Sequence, residues 1–172
     1  MQLYRQNFTL DEYEFLTSSS SFQKLTQSSV SIKYPDGSLI SADKVFKNLT
    51  KTHVTEFVMW FHDESPVFLP ATVKTLCQYL AQCGNLGIFY LYRLPETFDV
   101  RQISDFLKLP SNIDIVLHFE ASISDECKEI LSKFIKEIIE NPPQNIPLIQ
   151  YNEQDLDDLI TLMALKRERR RS

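Results

Sequence analysis

Histidine, cysteine and strand-end charge are what this chain offers to chemistry. It has three histidines, His53, His62 and His118. None falls in an HxxxH or HExxH spacing, so no helix presents two imidazoles to a metal on one face. The three cysteines, Cys77, Cys83 and Cys127, include no CxxC, and an odd count cannot form a fully paired internal set. Reduced thiols are expected, and with them a cytoplasmic or nuclear location. Cys77 and Cys83 fall about 240° apart on one predicted helix and read as packing residues. The remaining cluster is His62, Arg93 and Glu120. Each lies at or just past the carboxyl end of a predicted strand, where the sites of parallel α/β sheets gather. There His62 would lead an acid–base or anion site, with Glu120 as its orienting or acid partner and Arg93 as anion binder. A small enzyme built on this trio is the alternative reading.

Other catalytic frameworks are excluded by glycine. The chain holds only Gly37, Gly84 and Gly87, where average usage predicts about 12. Phosphate loops, nucleophile elbows and dinucleotide fingerprints need glycine where backbone turns sharply or approaches a ligand closely. None can be assembled from these three, and no cofactor is expected.

The elements that would position such residues follow from periodicity. Short runs rich in β-branched and aromatic residues read as strands: 30–34, 54–61, 86–92, 113–119 and 146–151. Between them, apolar residues at three- and four-residue spacing predict helices over 41–51, 70–83, 99–109 and 122–140. Ser41 can cap the first. Asp99 with Gln102 and Ser122 with Asp125 resemble capping boxes, with Ser124 a competing cap. Pro142-Pro143 stops the last, and Tyr34-Pro35-Asp36-Gly37 reads as a turn. The strand starts Val30, Val54, Leu86, Ile113 and Ile146 recur at 24, 32, 27 and 33 residues. This is a degenerate strand–helix repeat at the upper end of leucine-rich-repeat periods. Asn85, Asn112 and Asn145 precede three of the strands, as residues that tolerate left-handed turns in place of glycine.

Short connections between alternating strands and helices force parallel strands. The expected fold is α/β, with a parallel sheet, helices on one face and a leucine-rich-repeat-like arc; a doubly wound sandwich is the alternative. The expected organisation is a lead-in over 1–28, one repeat-like domain over 29–165, and a basic tail over 166–172. The tetraserine run 18–21 falls in the lead-in and reads as loop.

Alternation divides each strand into two sets. One, from Val54, Leu86 and Ile113 onward, is almost wholly apolar and is expected to face the helices. The other is mixed: Phe57, Met59, Phe61, Phe89, Leu91, Arg93, Val116, His118 and Glu120 would form an exposed, partly apolar contact face.

Net charge is −5, which argues against a general nucleic-acid binder. Five of the 18 basic residues gather at 166–171, where they complement the negative end of a final helix. No 18-residue apolar run and no signal peptide are read, so no membrane role is expected.

The stretch LCQYLAQCGNLGIFYLYRLPETFDVRQISDFLKLPSNIDIVLHF, followed by ISDECKEILSKFIKEIIENPP, resembles the region downstream of the F-box in the nematode F-box families. The resemblance covers 30–150 and is one of pattern. It implies a substrate adaptor whose repeat-like region holds a protein target, while a separate F-box engages a Skp-type ligase subunit. No leucine-proline F-box start is read in residues 1–30. The function expected from the sequence is therefore a non-catalytic protein-interaction module.

Overall fold

Short apolar runs alternating with helical periodicity produce six strand–helix units. The computed structural model describes residues 1–19 and 22–169. The strands are β1 (Gln2–Tyr4), β2 (Asn7–Thr9), β3 (Lys24–Ser28), β4 (Ser31–Lys33), β5 (Glu56–Trp60), β6 (Ile88–Leu94), β7 (Asp114–Phe119) and β8 (Leu148–Gln150). The helices are α1 (Leu10–Thr17), α2 (Ala42–Leu49), α3 (Thr72–Leu80), α5 (Asp125–Glu140) and α6 (Leu156–Arg169). Between α3 and α5, a 3-10 turn (Val100–Ile103) runs into a short helix (Ser104–Leu107), together called α4.

The main sheet has the order β1-β3-β5-β6-β7-β8, and every pair in it is parallel. Spatial order therefore equals chain order. With crossovers of one hand, every crossover helix falls on the same face of such a sheet. Accordingly, α2 packs against α3, and the 3-10 turn of α4 touches both α3 and α5. A doubly wound sandwich would need the strand order to reverse at a switch point, and it does not. At one end, α6 packs against α5 and β8, covering that sheet edge.

Residues 1–28, expected as a lead-in, instead hold the first complete unit and the second main-sheet strand. Leu3, Tyr13 and Leu25 lie in the common core. Three-residue strands are too short to show alternation, which hid this unit. Its helix start was legible: Thr9 and Glu12 form a capping box, Thr9 N–H donating to Glu12 Oε2 at 2.8 Å and Glu12 N–H to Thr9 Oγ1 at 3.3 Å. The run at 30–34 does form β4, but β4 pairs with β2 in a separate two-stranded sheet, and β3 takes its expected place.

A buried polar chain ties this unit down. Gln27 Nε2 on β3 donates to the Tyr13 hydroxyl on α1. The Thr17 hydroxyl donates to Tyr13 O at 2.7 Å and accepts from Asn48 Nδ2 on α2. Burial pushes the Tyr13 phenol pKa well above its usual range.

At α5 the cap is Ser124, whose Oγ accepts from Cys127 N–H at 3.3 Å, whereas Ser41 stands at the N-cap of α2 without a side-chain cap hydrogen bond. Gly37 adopts the left-handed φ of +86° that its turn demands. Asn85, Asn112 and Asn145 do not adopt positive φ. Among the described residues other than glycine, the left-handed ones are Arg5, Ser29 and Arg93, at φ 50°, 55° and 56°, together with Glu153. Arg5 and Ser29 stand just past the carboxyl ends of β1 and β3 and Arg93 lies within β6, each one residue past the matched positions Tyr4, Ser28 and Tyr92. Two stretches lie partly outside the described residues: the serine run at Ser20 and Ser21, and the basic tail from Arg170 to Ser172.

Candidate functional site

Parallel pairing fixes which side chains share a face. Phe57, Phe89 and Ile115 are register partners, as are Met59, Leu91 and Leu117. All six are at most 3% exposed. The Phe57 and Phe89 rings stack at 5.6 Å, and Phe46 of α2 meets them edge-on at 6.1 and 5.7 Å. This is the helix-facing side.

The other face carries a row matched across all six strands: Tyr4, Ser28, Trp60, Tyr92, His118 and Gln150. Among the described residues, no helix covers its centre. Trp60 and Tyr92 are half-buried and stack at 4.8 Å with a 12° interplanar angle. Tyr92 approaches His118 at 6.1 Å and meets Tyr90 edge-on at 6.4 Å. His118 Nδ1 is buried and has no hydrogen-bond partner among the described residues. At the far end of the row Tyr4 is 57% exposed, with the Arg5 guanidinium 5.0 Å from its ring centre.

The structure therefore corrects the expected contact face. Phe57, Met59, Phe61, Phe89 and Leu91 are core residues and cannot form a surface. Val116 and His118 do lie on the open face, while Arg93 and Glu120 sit at its rim. The error is one of register. Equating Leu86 with Ile113 pairs Gly87 with Asp114, but the true partner of Asp114 is Ile88. A slip of one residue exchanges the two faces of a strand. Here the slip lies between β6 and β7 alone: it joins the polar side of β7 to the Phe side of β5 and β6, which leaves Trp60, Tyr90 and Tyr92 in the set expected to face the helices. Their types carried the missing signal: the open face holds aromatics with a polar tip, and the core face of β5 and β6 holds Phe, Met and Leu, which have none.

The strand-end trio does converge. His62, Arg93 and Glu120 line one cavity of about 250 Å³ beyond the carboxyl ends of β5 and β6. Arg93 is the extra residue of a bulge in β6, and its Nη2 meets Glu120 Oε1 at 2.7 Å. His62, however, has both ring nitrogens engaged by its own chain. Glu64 N–H donates to Nδ1 at 3.3 Å, which leaves Nε2 as the protonated nitrogen, 3.3 Å from Val30 O. An imidazole so held has no lone pair directed at a substrate.

A second feature borders the open face where α6 wraps the β8 edge. Lys166 Nζ lies 2.8 Å from Asp114 Oδ1 and donates to Ile115 O at 2.6 Å. The Tyr90 hydroxyl donates to Asp114 Oδ2. Lys166, expected in a basic tail, is thus an anchor, its side chain only 12% exposed. Between helix and sheet lies a corner cavity of about 660 Å³, lined on the sheet side by Tyr90, Val116 and Leu148.

Burial pushes the Cys77 thiol up to about 12 and the Cys83 thiol up to about 11. Burial also raises Cys127. Such thiols are protonated at neutral pH and are poor nucleophiles. Among the described residues, no three His, Cys, Asp or Glu side chains are grouped to hold a metal ion. Nor is any helix long and apolar enough to cross a membrane. No known family model matches the chain, and no curated protein and no solved structure is found to be similar to it.

Proposed function

We propose that this chain is a non-catalytic protein-interaction module whose contact face is the open side of the parallel sheet. The observation that carries this reading is the six-strand row from Tyr4 to Gln150, with the Trp60–Tyr92 stack at its centre. Aromatics with an apolar body and a polar tip are the residues interfaces favour. A rigid sheet presents them at little further cost in ordering entropy. In its fuller form, this reading makes the sheet a leucine-rich-repeat-like arc and the chain an intracellular, target-binding region of a ubiquitin-ligase adaptor. The pattern over 76–119 and 123–143 supports that fuller form.

Affinity capture with the wild type and with Trp60→Asp and Tyr92→Asp tests the module. Both positions are half-exposed, so both variants are expected to fold, as circular dichroism would check. Loss of the captured partner is expected. A folded variant that retains the partner undiminished overturns the reading.

A further inference from the structure

The helix α6 leaves an apolar stripe without cover. Leu156, Ile160 and Met163 are 70, 62 and 51% exposed. Their i, i+4, i+7 spacing places them on one side of the helix. Leu162, on another side, is fully buried and holds α6 to the body of the protein. Ala164 is exposed between Ile160 and the last turn, and it is small enough to admit a second helix closely. Ile160 and Met163 of the stripe also wall the corner cavity, opposite Tyr90, Val116 and Leu148.

Charge along α6 says what fits there. Its first turn carries Asp157 and Asp158, and its last turn carries Lys166, Arg167 and Arg169. The helix dipole accounts for this polarity in a lone helix. It does not account for an apolar stripe running between the two charged ends. A helix that is acidic at one end, basic at the other and apolar between is complementary to itself when turned antiparallel.

We propose that the occupant is a second copy of this chain. The two α6 helices lie antiparallel about a two-fold axis passing between positions 161 and 162. Ile160 then faces Met163 of the other copy, and Asp157 falls within one turn of the other copy's Arg167. Each stripe enters the corner cavity of its twin, so both open sheets flank the helix pair. Such an isologous contact closes on itself as a dimer and does not propagate. It leaves Tyr4, Ser28 and Trp60 outside the contact, so the dimer and the contact face proposed above can fail independently.

Analytical ultracentrifugation over a concentration series tests this on the full chain. The expected result is a mass rising from 20.1 kDa toward twice that value. Ile160→Glu should weaken association by tenfold or more, because each copy loses a buried apolar side chain, roughly a tenfold effect in itself. Its melting temperature should hold, since Ile160 is exposed in one copy. Asp157→Arg should weaken the dimer about threefold or more, and adding Arg167→Asp should restore it. Trp60→Asp should leave it unchanged. A wild type that stays monomeric to its solubility limit overturns the proposal. So does an Ile160→Glu variant that dimerises as tightly as wild type, or a charge swap that fails to restore pairing.

Discussion

The two faces of the same sheet share backbone, register and neighbours, yet differ in every respect that matters to function. The inner face stacks Phe57 on Phe89 beneath Phe46 and is dry. The outer face stacks Trp60 on Tyr92 and stays half open to water. The stacking geometry is similar, so it cannot be what separates core from surface. The separation comes from crossover hand, which sends every crossover helix to one side.

The sharpest way to break this comparison is a matched pair of substitutions. Phe89→Asp buries a carboxylate among aromatics and should cost more than about 4 kcal/mol, enough to unfold a domain of ordinary stability. Tyr92→Asp, three residues on, should cost about 1 kcal/mol or less, as surface changes do. Urea midpoints for the two variants measure the difference, and similar losses would mean that the outer face is also core.

A smaller effect is expected at the buried polar chain. Tyr13→Phe strands the Gln27 amide without its hydroxyl partner and should cost about 1–3 kcal/mol by thermal denaturation. Next come the left-handed strand exits. Ser29→Val forces a β-branched residue into φ 55° and should lose about 1–2 kcal/mol, whereas Ser29→Gly should hold or gain stability.

The smallest effect is electrostatic. The Arg101 side chain, with help from Gln102 and the Arg101 backbone, holds the Asp99 carboxyl below its ordinary value. A depressed carboxyl stabilises the fold fully above its unfolded pKa, near 4, and loses that contribution as pH falls through its lower folded value. Stability should thus decline with pH below about 4, and Asp99→Asn should flatten a modest part of that acid-side slope.

Much of the fold was legible because its signals are local. The helices predicted over 41–51, 70–83 and 122–140 became α2, α3 and α5, each with an apolar stripe longer than two turns. The contact face was not legible, because it depends on register between strands that are far apart in sequence. Aligning β7 on its first apolar residue moved it by one position, and one position is a whole face. Residue type resolves the ambiguity where periodicity fails: Trp60, Tyr90 and Tyr92 each carry a polar tip that Phe57, Phe89 and Leu91 lack. The first unit was hidden for a different reason, since Leu3 alone marks the inner side of β1.

Chain order and spatial order coincide in this sheet, and that has a mechanical consequence. β1 and β8 stand at opposite edges, five strand spacings or about 24 Å apart. Tension applied to the two edges acts across the hydrogen-bonded ladders one after another, not on all of them together. The molecule should therefore yield from an edge as a zipper does, at low force, giving up one strand and its helix at a time. Three-residue β1 should part first, because α6 braces the opposite edge.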